Sequence, residues 1–411
     1  MTTSPIHALQ EVVQSAYSQA LRDGQSKGSS GKTGTHGDHA VPSTLLKISG
    51  GQSKDFYGLK TQGASLSSRT LQGIISYEPS ELYITASAGT PLTQIEAALA
   101  QNNQYLAFEA PNFNGSATVG GMVAAGLSGP ARASSGAVRD FVLGLKMLNG
   151  RGELLSFGGQ VIKNVAGYDL SRVMCGSWGM LGMITEVSLK VLPIPAAEIT
   201  LRLQLEQQEA LDLLNRWMLS AVPINASVWQ TEKSVNTETH KGRLWVRLRG
   251  AKAAVQAGLR VVQQTGSEKK AEVETIDLST GSAFWGGIRH QSDTFFTMPI
   301  AADACLWRLS VPQKITAKTL MQLSKDSPIT VEWNGALRWF WASAKRAEVI
   351  HHMAKEYGGH ATLWRVSSEA GEHDKVAGVF TPLDATQRRI QQALQREFDP
   401  CGIFRTGRLA I

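Results

Sequence analysis

The run Asn114-Gly115-Ser116-Ala117-Thr118-Val119-Gly120-Gly121-Met122-Val123-Ala124-Ala125-Gly126 holds nothing larger than valine apart from Asn114 and Met122. A backbone that does without Cβ atoms so often is turning tightly or letting something approach closely. Fifteen of the 40 glycines fall between Gly115 and Gly182, so a ligand is expected there. An earlier segment, Ser49-Gly50-Gly51-Gln52-Ser53-Lys54-Asp55, shares the small residues and hydroxyls. Each segment follows an apparent strand or extended chain and can present successive N–H groups as a concave anion site. A diphosphate is the anion that needs two such cradles facing each other. Ser53 and Thr118 add hydroxyl donors, while Ala124, Ala125 and Gly126 leave room for a ring system. The alternative is a pair of tight turns with no ligand, since Gly120-Gly121 is not the spaced dinucleotide fingerprint.

Working outward, Ile6 to Ala20 carries apolar residues at helical spacing, and Arg22 to His39 reads as a flexible polar connector. Gly31-Lys32-Thr33 inside it lacks the upstream glycine and entering strand of a phosphate-binding P-loop. Strands are expected at Leu45 to Ile48, Gly73 to Tyr77 and Leu82 to Thr85. A helix over 91–101 follows, with Thr90 as N-cap and Pro91 at the first position. The sequence Phe108 to Gly126 reads as one long loop. Asn149-Gly150 between Phe141 to Met147 and Glu153 to Phe157 predicts a tight antiparallel hairpin. Period-two alternation predicts a half-buried strand over 185–191. Beyond Pro195 glycine thins out, and the order β-α-β-β-α over 200–264, closed by 271–276, predicts a ferredoxin-like layer. Strand-like 305–311, 331–341 and 361–364 continue this domain, with a helix over 344–357, and 386–398 is an amphipathic helix. No repeat of fixed period is visible. The division expected is 1–40 helix and linker, 41–195 ligand domain, 196–385 α+β cap, and 386–411 a tail returning to the first domain.

The chain has 411 residues and a formal charge of +7. That excess is mild and scattered, with no basic block interleaved with aromatics, so a nucleic-acid partner is not expected. Cys175, Cys305 and Cys401 are far apart and odd in number, which argues for a reducing compartment and against a disulfide framework or a metal centre. No secretory signal is evident at the start, and the longest apolar stretch is about half the ~20 residues a bilayer requires. A cytoplasmic protein is expected.

Three further segments carry a resemblance: Gly136-Ala137-Val138-Arg139-Asp140, Lys163-Asn164-Val165-Ala166-Gly167-Tyr168-Asp169, and Gly176-Ser177-Trp178-Gly179-Met180-Leu181-Gly182-Met183-Ile184-Thr185. Together with Gly121 to Pro130, they resemble the FAD-binding domain of the vanillyl-alcohol oxidase / p-cresol methylhydroxylase type, and more closely the smaller FAD-binding subunits of bacterial glycolate oxidases. Trp333 to Trp339 and Asp399 to Phe404 extend the likeness over roughly residues 44 to 411. It implies an α+β fold with two flavin-binding subdomains followed by the cap. It implies FAD clamped between Gly50, Gly51, Gln52, Ser53, Lys54 and Thr118, Val119, Gly120, Gly121. Ala125 and Gly126 border the same place. By the same likeness Tyr77, Glu78 and Pro79 contact the adenosine part, and Ala88, Gly89 and Thr90 line the floor. Val138, Gly182 and Ile184 pack on the flavin, and Arg139 or Lys163 tunes its potential unless each pairs with Asp140 or Asp169. Some members tether the flavin through a histidine in the first loop; Gln52 and Ser53 stand here, so the FAD is expected to be noncovalent.

Oxidising a 2-hydroxy acid requires a base, a cation for the carboxylate and a flavin to take the hydride. No such set is evident, and no catalytic residue or metal ligand is assigned. The histidine-rich run of the related larger subunits is missing. Gly358-Gly359-His360 reads as a turn, adjacent His351 and His352 as a solvated face, and His290 as part of a loop. Arg405-Thr406 replaces the Asn-Pro that relatives often show before the final Gly-Arg. The expectation is therefore a flavoprotein subunit of a glycolate oxidase complex, supporting electron transfer rather than binding glycolate itself. Its expected partners are a larger FAD-containing subunit and an iron-sulfur subunit, with peripheral membrane association through the complex and with Trp333, Trp339 and Trp341 as an interface or as core. A self-sufficient flavin oxidase and a flavin-free scaffold are the alternatives.

Overall fold

The computed structural model describes residues 4–29, 44–159, 169–232, 241–318 and 327–409. A small parallel pair, β1 (Leu46–Ser49) and β2 (Ala64–Ser67), precedes a five-stranded antiparallel sheet. That sheet is built from β3 (Ile74–Glu78), β4 (Tyr83–Ser87), β6 (Val142–Leu148), β7 (Leu154–Gly158) and β8 (Met183–Lys190), in the order β3-β4-β8-β6-β7. Short β5 (Gln104–Tyr105) and β9 (Leu192–Pro193) pair beside it. The expected period-two strand is β8, but it lies at the centre of the sheet and is buried on both faces, including Thr185 and Ser188, whose Oγ bonds Thr85 Oγ1 at 2.8 Å.

Helix α1 (Pro5–Ser29) is longer than its apolar spacing suggested. The connector expected from Arg22 is helical as far as Ser29, and its remainder, with Gly31-Lys32-Thr33, lies outside the described residues. Val13 is fully buried against Leu46, Leu148 and Phe404, so α1 packs on the first domain. Helix α2 (Leu92–Ala100) begins as expected, but Thr90 is not its cap: its hydroxyl accepts from Gly73 N and donates to Gly73 O. Helix α3 (Val119–Ala125) occupies the last third of what read as one loop.

The hairpin β6-β7 forms, with Leu148 opposite Leu154, so the turn spans 149–153 and is wider than Asn-Gly alone predicts. Gly150 answers to the C-terminal tail instead: its N–H donates to Phe398 O, and a Cβ there would meet Asp399.

The cap is one eight-stranded sheet built twice over. Its first half is β10 (Ala197–Glu206), α4 (Gln207–Met218), β11 (Ile224–Thr231), β12 (Lys241–Gly250), α5 (Lys252–Glu268) and β13 (Val273–Ile276), in the order β13-β10-β12-β11. This is the expected ferredoxin-like layer. The second half follows α6 (Leu278–His290) and comprises β14 (Ala304–Ser310), β15 (Ile329–Glu332), β16 (Leu337–Ser343), α7 (Ala347–Glu356) and β17 (His360–Arg365). Its order, β17-β14-β16-β15, repeats the first, and β11 pairs β15 to fuse the halves. The continuous strand expected over 331–341 is two strands, broken by a turn in which Trp333, Asn334 and Gly335 all take positive φ.

Helices α4, α5 and α7 cover one face of this sheet over Leu203, Trp229, Val246, Trp307 and Phe340. The other face presents Trp245, Leu306, Trp339, Trp341 and Trp364 toward Phe56, Tyr57, Phe113 and Leu127 of the first domain. Trp333, Trp339 and Trp341 are thus interior, at 5% exposure or less, and offer no external interface. A buried ion network rivets the domains: Arg247 holds both Glu109 oxygens, at 2.7 and 2.8 Å, and Arg249 bridges Glu109 to Glu198. Helix α8 (Ala385–Phe398) starts on an Asp384 capping box. The tail beyond it returns to the first domain, where Leu46 N donates to Ile403 O and Gln62 N to Thr406 O.

Candidate functional site

The two small-residue segments face each other along a cleft that opens to solvent. The first leaves the end of β1 and the second runs into α3. Ser116 Oγ donates to Gly51 O at 2.5 Å, and a Cβ on Gly51 would collide with the Ser116 carbonyl. A Cβ on Gly50 would come within 2.5 Å of Thr118 Oγ1. These glycines are therefore required by the opposing loop, whatever else approaches them.

The cradles are not equivalent. Among the described residues, the N–H groups of Gln52, Ser53 and Lys54 find no protein acceptor, and Gln52 takes φ +57°. Such consecutive free amides form an anion nest. At α3 the amides are already used: Val119 N donates to Thr90 O, Gly120 N to Ala88 O and Gly121 N to Thr118 Oγ1. The expectation of two matching amide cradles is corrected accordingly. One loop offers N–H groups, and the other offers a smooth glycine and alanine surface.

Two cations complete the cleft. Lys54 is 7% exposed, its Nζ donates to Ser53 Oγ at 3.0 Å, and among the described residues it has no carboxylate within 4.0 Å. Burial lowers its pKa to about 8, so it is still mostly charged at neutral pH. Arg408, from the tail, donates to Lys54 O and Tyr57 O at 3.2 and 3.3 Å and to Asp55 at 3.3 Å. It also lies 5.8 Å from the Trp178 ring, which stacks on Tyr57 with centroids 4.1 Å apart. A nest of free amides, a buried unpaired lysine and an arginine fit a diphosphate, and the small-residue wall fits a flat ring.

Of the residues singled out from sequence, Gly50, Gly51, Gln52, Ser53, Lys54, Thr118, Gly120, Gly121, Ala125, Gly182 and Ile184 line this cleft. Gly182 has φ +147°, and a Cβ there would strike Leu148 O and Met147, so only glycine fits. Ala88, Gly89, Thr90 and Val119 lie behind the wall: Gly120 packs on Ala88, and Gly89 is pressed against Ser68 O. Gly126 is the left-handed cap of α3, and Val138 is fully buried, its N–H donating to Ser128 Oγ. Arg139 is not brought in; its side chain is 64% exposed beside Asp140. Nor is Pro79, which turns the β3-β4 hairpin at the end opposite Ala88 and accepts from Gln104 Nε2; Tyr77 bonds the same Gln104. Lys163 lies outside the described residues.

Trp178, Gly179, Ser68 and Arg408 line the cleft and were not assigned from sequence. The terminal Gly407-Arg408 was the available signal for the last. The histidines take other places. His351 is buried, with its ring nitrogens 3.0 Å from Thr381 Oγ1 and 3.1 Å from Gly378 O, so it is no solvated face. His290 ends α6 and accepts from Asn112 N.

Residues 44–158 match the family model described as an FAD binding domain. Over 393 residues, 96% of this chain and 97% of the other, the sequence is 40% identical to glycolate oxidase subunit GlcE of Escherichia coli. The chain belongs to the GlcE family. It is also 29% identical to the mitochondrial D-lactate dehydrogenase [cytochrome] of Arabidopsis thaliana, over 68% of this chain and 46% of that one. Among solved structures, alkyldihydroxyacetonephosphate synthase superposes with a TM-score of 0.62 at 17% identity, covering 87% of this chain and 71% of that one, which is a likeness of fold. The expected α+β architecture, an FAD-binding domain followed by a cap, is the architecture of this GlcE-family chain. None of its described helices is long and apolar enough to cross a membrane.

Proposed function

We propose that this chain is the FAD-binding subunit of a glycolate oxidase, supporting oxidation of glycolate to glyoxylate. The observation that carries the flavin part is the cleft itself, where three free amides meet Lys54 and Arg408 opposite a wall that keeps Cβ atoms out. Gln52, Ser53 and Lys54 would hold the diphosphate through N–H groups, with Lys54 and Arg408 balancing its charge. Ala124, Ala125 and Trp178 would flank the rest of the cofactor. When bound, FAD supplies a two-electron acceptor for hydride. Among the described residues, no histidine or cysteine lines the cleft, and we infer noncovalent binding.

The partners we infer are the larger FAD-containing subunit and an iron-sulfur subunit, in a complex that acts in the cytoplasm or on the inner face of the membrane. The relative's name as a subunit supports partners in general. The division into 41–195, 196–385 and 386–411 is supported by the separate sheets and by the returning tail.

Purification in native buffer tests the reading. The expected protein is yellow, releases its flavin into the supernatant on acid precipitation, and brings two further subunits with it from cells expressing the whole complex. A colourless folded protein would overturn the flavin assignment, and a flavin that stays in the pellet would overturn noncovalent binding. A chain recovered alone would overturn the partners.

A further inference from the structure

The Lys54 side chain reaches the cleft with few polar contacts to hold it. Of its three ammonium donors, one goes to Ser53 Oγ at 3.0 Å. Among the described residues, the charged groups nearest to it are engaged elsewhere. Asp55 pairs with Lys47 at 3.5 Å and with Arg408 at 3.3 Å, and Arg408 also donates to the Lys54 and Tyr57 carbonyls. What the ammonium does meet is the Phe113 ring, whose centre lies 5.4 Å from Nζ. At that distance the negative face of a phenyl ring attracts a cation, and more strongly where water is kept out.

Phe113 is held there against its own backbone preference. Its φ is +50°, in the left-handed region that a bulky side chain rarely adopts, and such strain persists only where the surroundings over-determine it. Here they do. Buried Asn112 fixes the turn around Phe113: its carbonyl accepts from Gly115 N at 3.1 Å, its Oδ1 accepts from Ala117 N at 3.0 Å, and its own N–H donates to His290 Nδ1 at 3.2 Å. The ring is backed by Phe56, edge to face, with centres 5.4 Å apart and planes at 84°. The Phe56 ring centre lies 5.2 Å from the Arg365 guanidinium at the end of β17, and its carbonyl accepts from Lys375 Nζ at 3.2 Å. From cleft to cap the row therefore runs cation, ring, ring, cation. A leucine at 113 would fill space but offer no face to the ammonium.

We propose that Phe113 is a positioning residue for the diphosphate clamp, its ring face holding the Lys54 ammonium charged and aimed into the cleft while Phe56 and the cap hold the ring. This rests on the flavin reading of the cleft and deepens it, by naming what keeps the clamp's charge in place.

The test is a fluorescence titration of flavin-stripped full-length protein with FAD from about pH 6 to about pH 10, beside heteronuclear NMR of the same protein labelled at its lysines. Replacing Phe113 by pentafluorophenylalanine keeps the outline of the ring and reverses the sign of its face, whereas Phe113→Leu removes the face. In both, Lys54 is expected to lose its proton about half to one pH unit lower. The alkaline loss of FAD affinity should move down with it, and affinity at neutral pH should fall about three- to tenfold. Phe113→Tyr, which keeps a ring face, is expected to match the unaltered protein in both readouts. In a Lys54→Met background, Phe113→Leu is expected to change FAD affinity no further. Should Phe113→Leu fail to fold, the fluorinated protein, unaltered in shape, carries the test. An unmoved Lys54 titration in a folded variant, an equal loss of affinity at every pH, or a full additional loss in the Lys54→Met background overturns the proposal. A chain that takes up no FAD yet shows the displaced Lys54 titration would sink the flavin reading while leaving the hold of Phe113 on Lys54 standing.

Discussion

The cleft between the two loops and a small cavity between the cap sheet and the chain after α3 both keep positive charge inside the protein, with different parts. In the cleft, free backbone N–H groups at Gln52, Ser53 and Lys54 are the recognition elements proposed above, and Gly50 and Gly51 let the opposing loop come close. In the cavity, the Arg308 guanidinium lies among indole rings, with Arg289 also on the lining and Arg132 over Trp333, and the backbone takes no part beyond setting strand register. A backbone site depends on loop geometry and is sensitive to volume. A side-chain cluster depends on its charges and their desolvation.

The largest test of that contrast is Gly51→Val. Its side chain would drive into the Ser116 carbonyl and part the loops, so FAD binding should disappear and stability should fall by about 3 kcal/mol, read by absorbance and by chemical denaturation. A Gly51→Val protein that still binds FAD would break the comparison.

Next in size is Lys54→Met, expected to weaken FAD binding by roughly 10- to 100-fold, the worth of a charge-assisted bond, in a fluorescence titration. The pH dependence sharpens it. Lys54 titrates near 8 when folded and near 10.4 when unfolded. Raising the pH through 8 removes the cation and weakens FAD binding. Over the same window, from about 8 to 10.4, the apoprotein gains stability from this group, because the unfolded state holds more protons. Affinity and apoprotein stability should therefore move in opposite directions, and in Lys54→Met both trends should flatten.

In the cavity, Glu332→Gln should leave FAD affinity alone. Glu332 has a raised pKa, so its contribution to stability falls as pH rises from the ordinary carboxylate range through about 7. The variant should melt ~2–4 °C above the unaltered protein at pH 8 and no higher at pH 4. Smallest of all, Ser116→Ala removes one hydroxyl bond between the loops and should cost about 1 kcal/mol, with a few-fold loss of FAD affinity by the same titration.

The same contrast explains what could be read in advance. Backbone recognition leaves a compositional trace, since tight approach demands glycine, and most of the cleft was visible from Gly50 to Lys54 and Thr118 to Gly121. What the trace did not reveal is that the α3 amides are already used by Ala88 and Thr90, a pairing that depends on sheet register. Arg308 left no trace, because one polar residue in a strand looks like any solvent-facing position until β16 and β17 bring tryptophans beside it. The second ferredoxin-like half was obscured by the turn at Trp333 and Asn334, where both residues take left-handed conformations, one that asparagine tolerates and a bulky tryptophan rarely adopts. Arg408 could be placed only once Asp399 was seen to fold the tail back by accepting from Ile403 N and Phe404 N.

Arg408 donates to the carbonyl of Lys54, 354 positions earlier in the chain. During translation the amide nest emerges long before the arginine that finishes it, with the whole cap made in between. Cofactor capture would then wait for the cap to be synthesised, and a chain interrupted before Arg408 would be left with an open, weakly cationic groove.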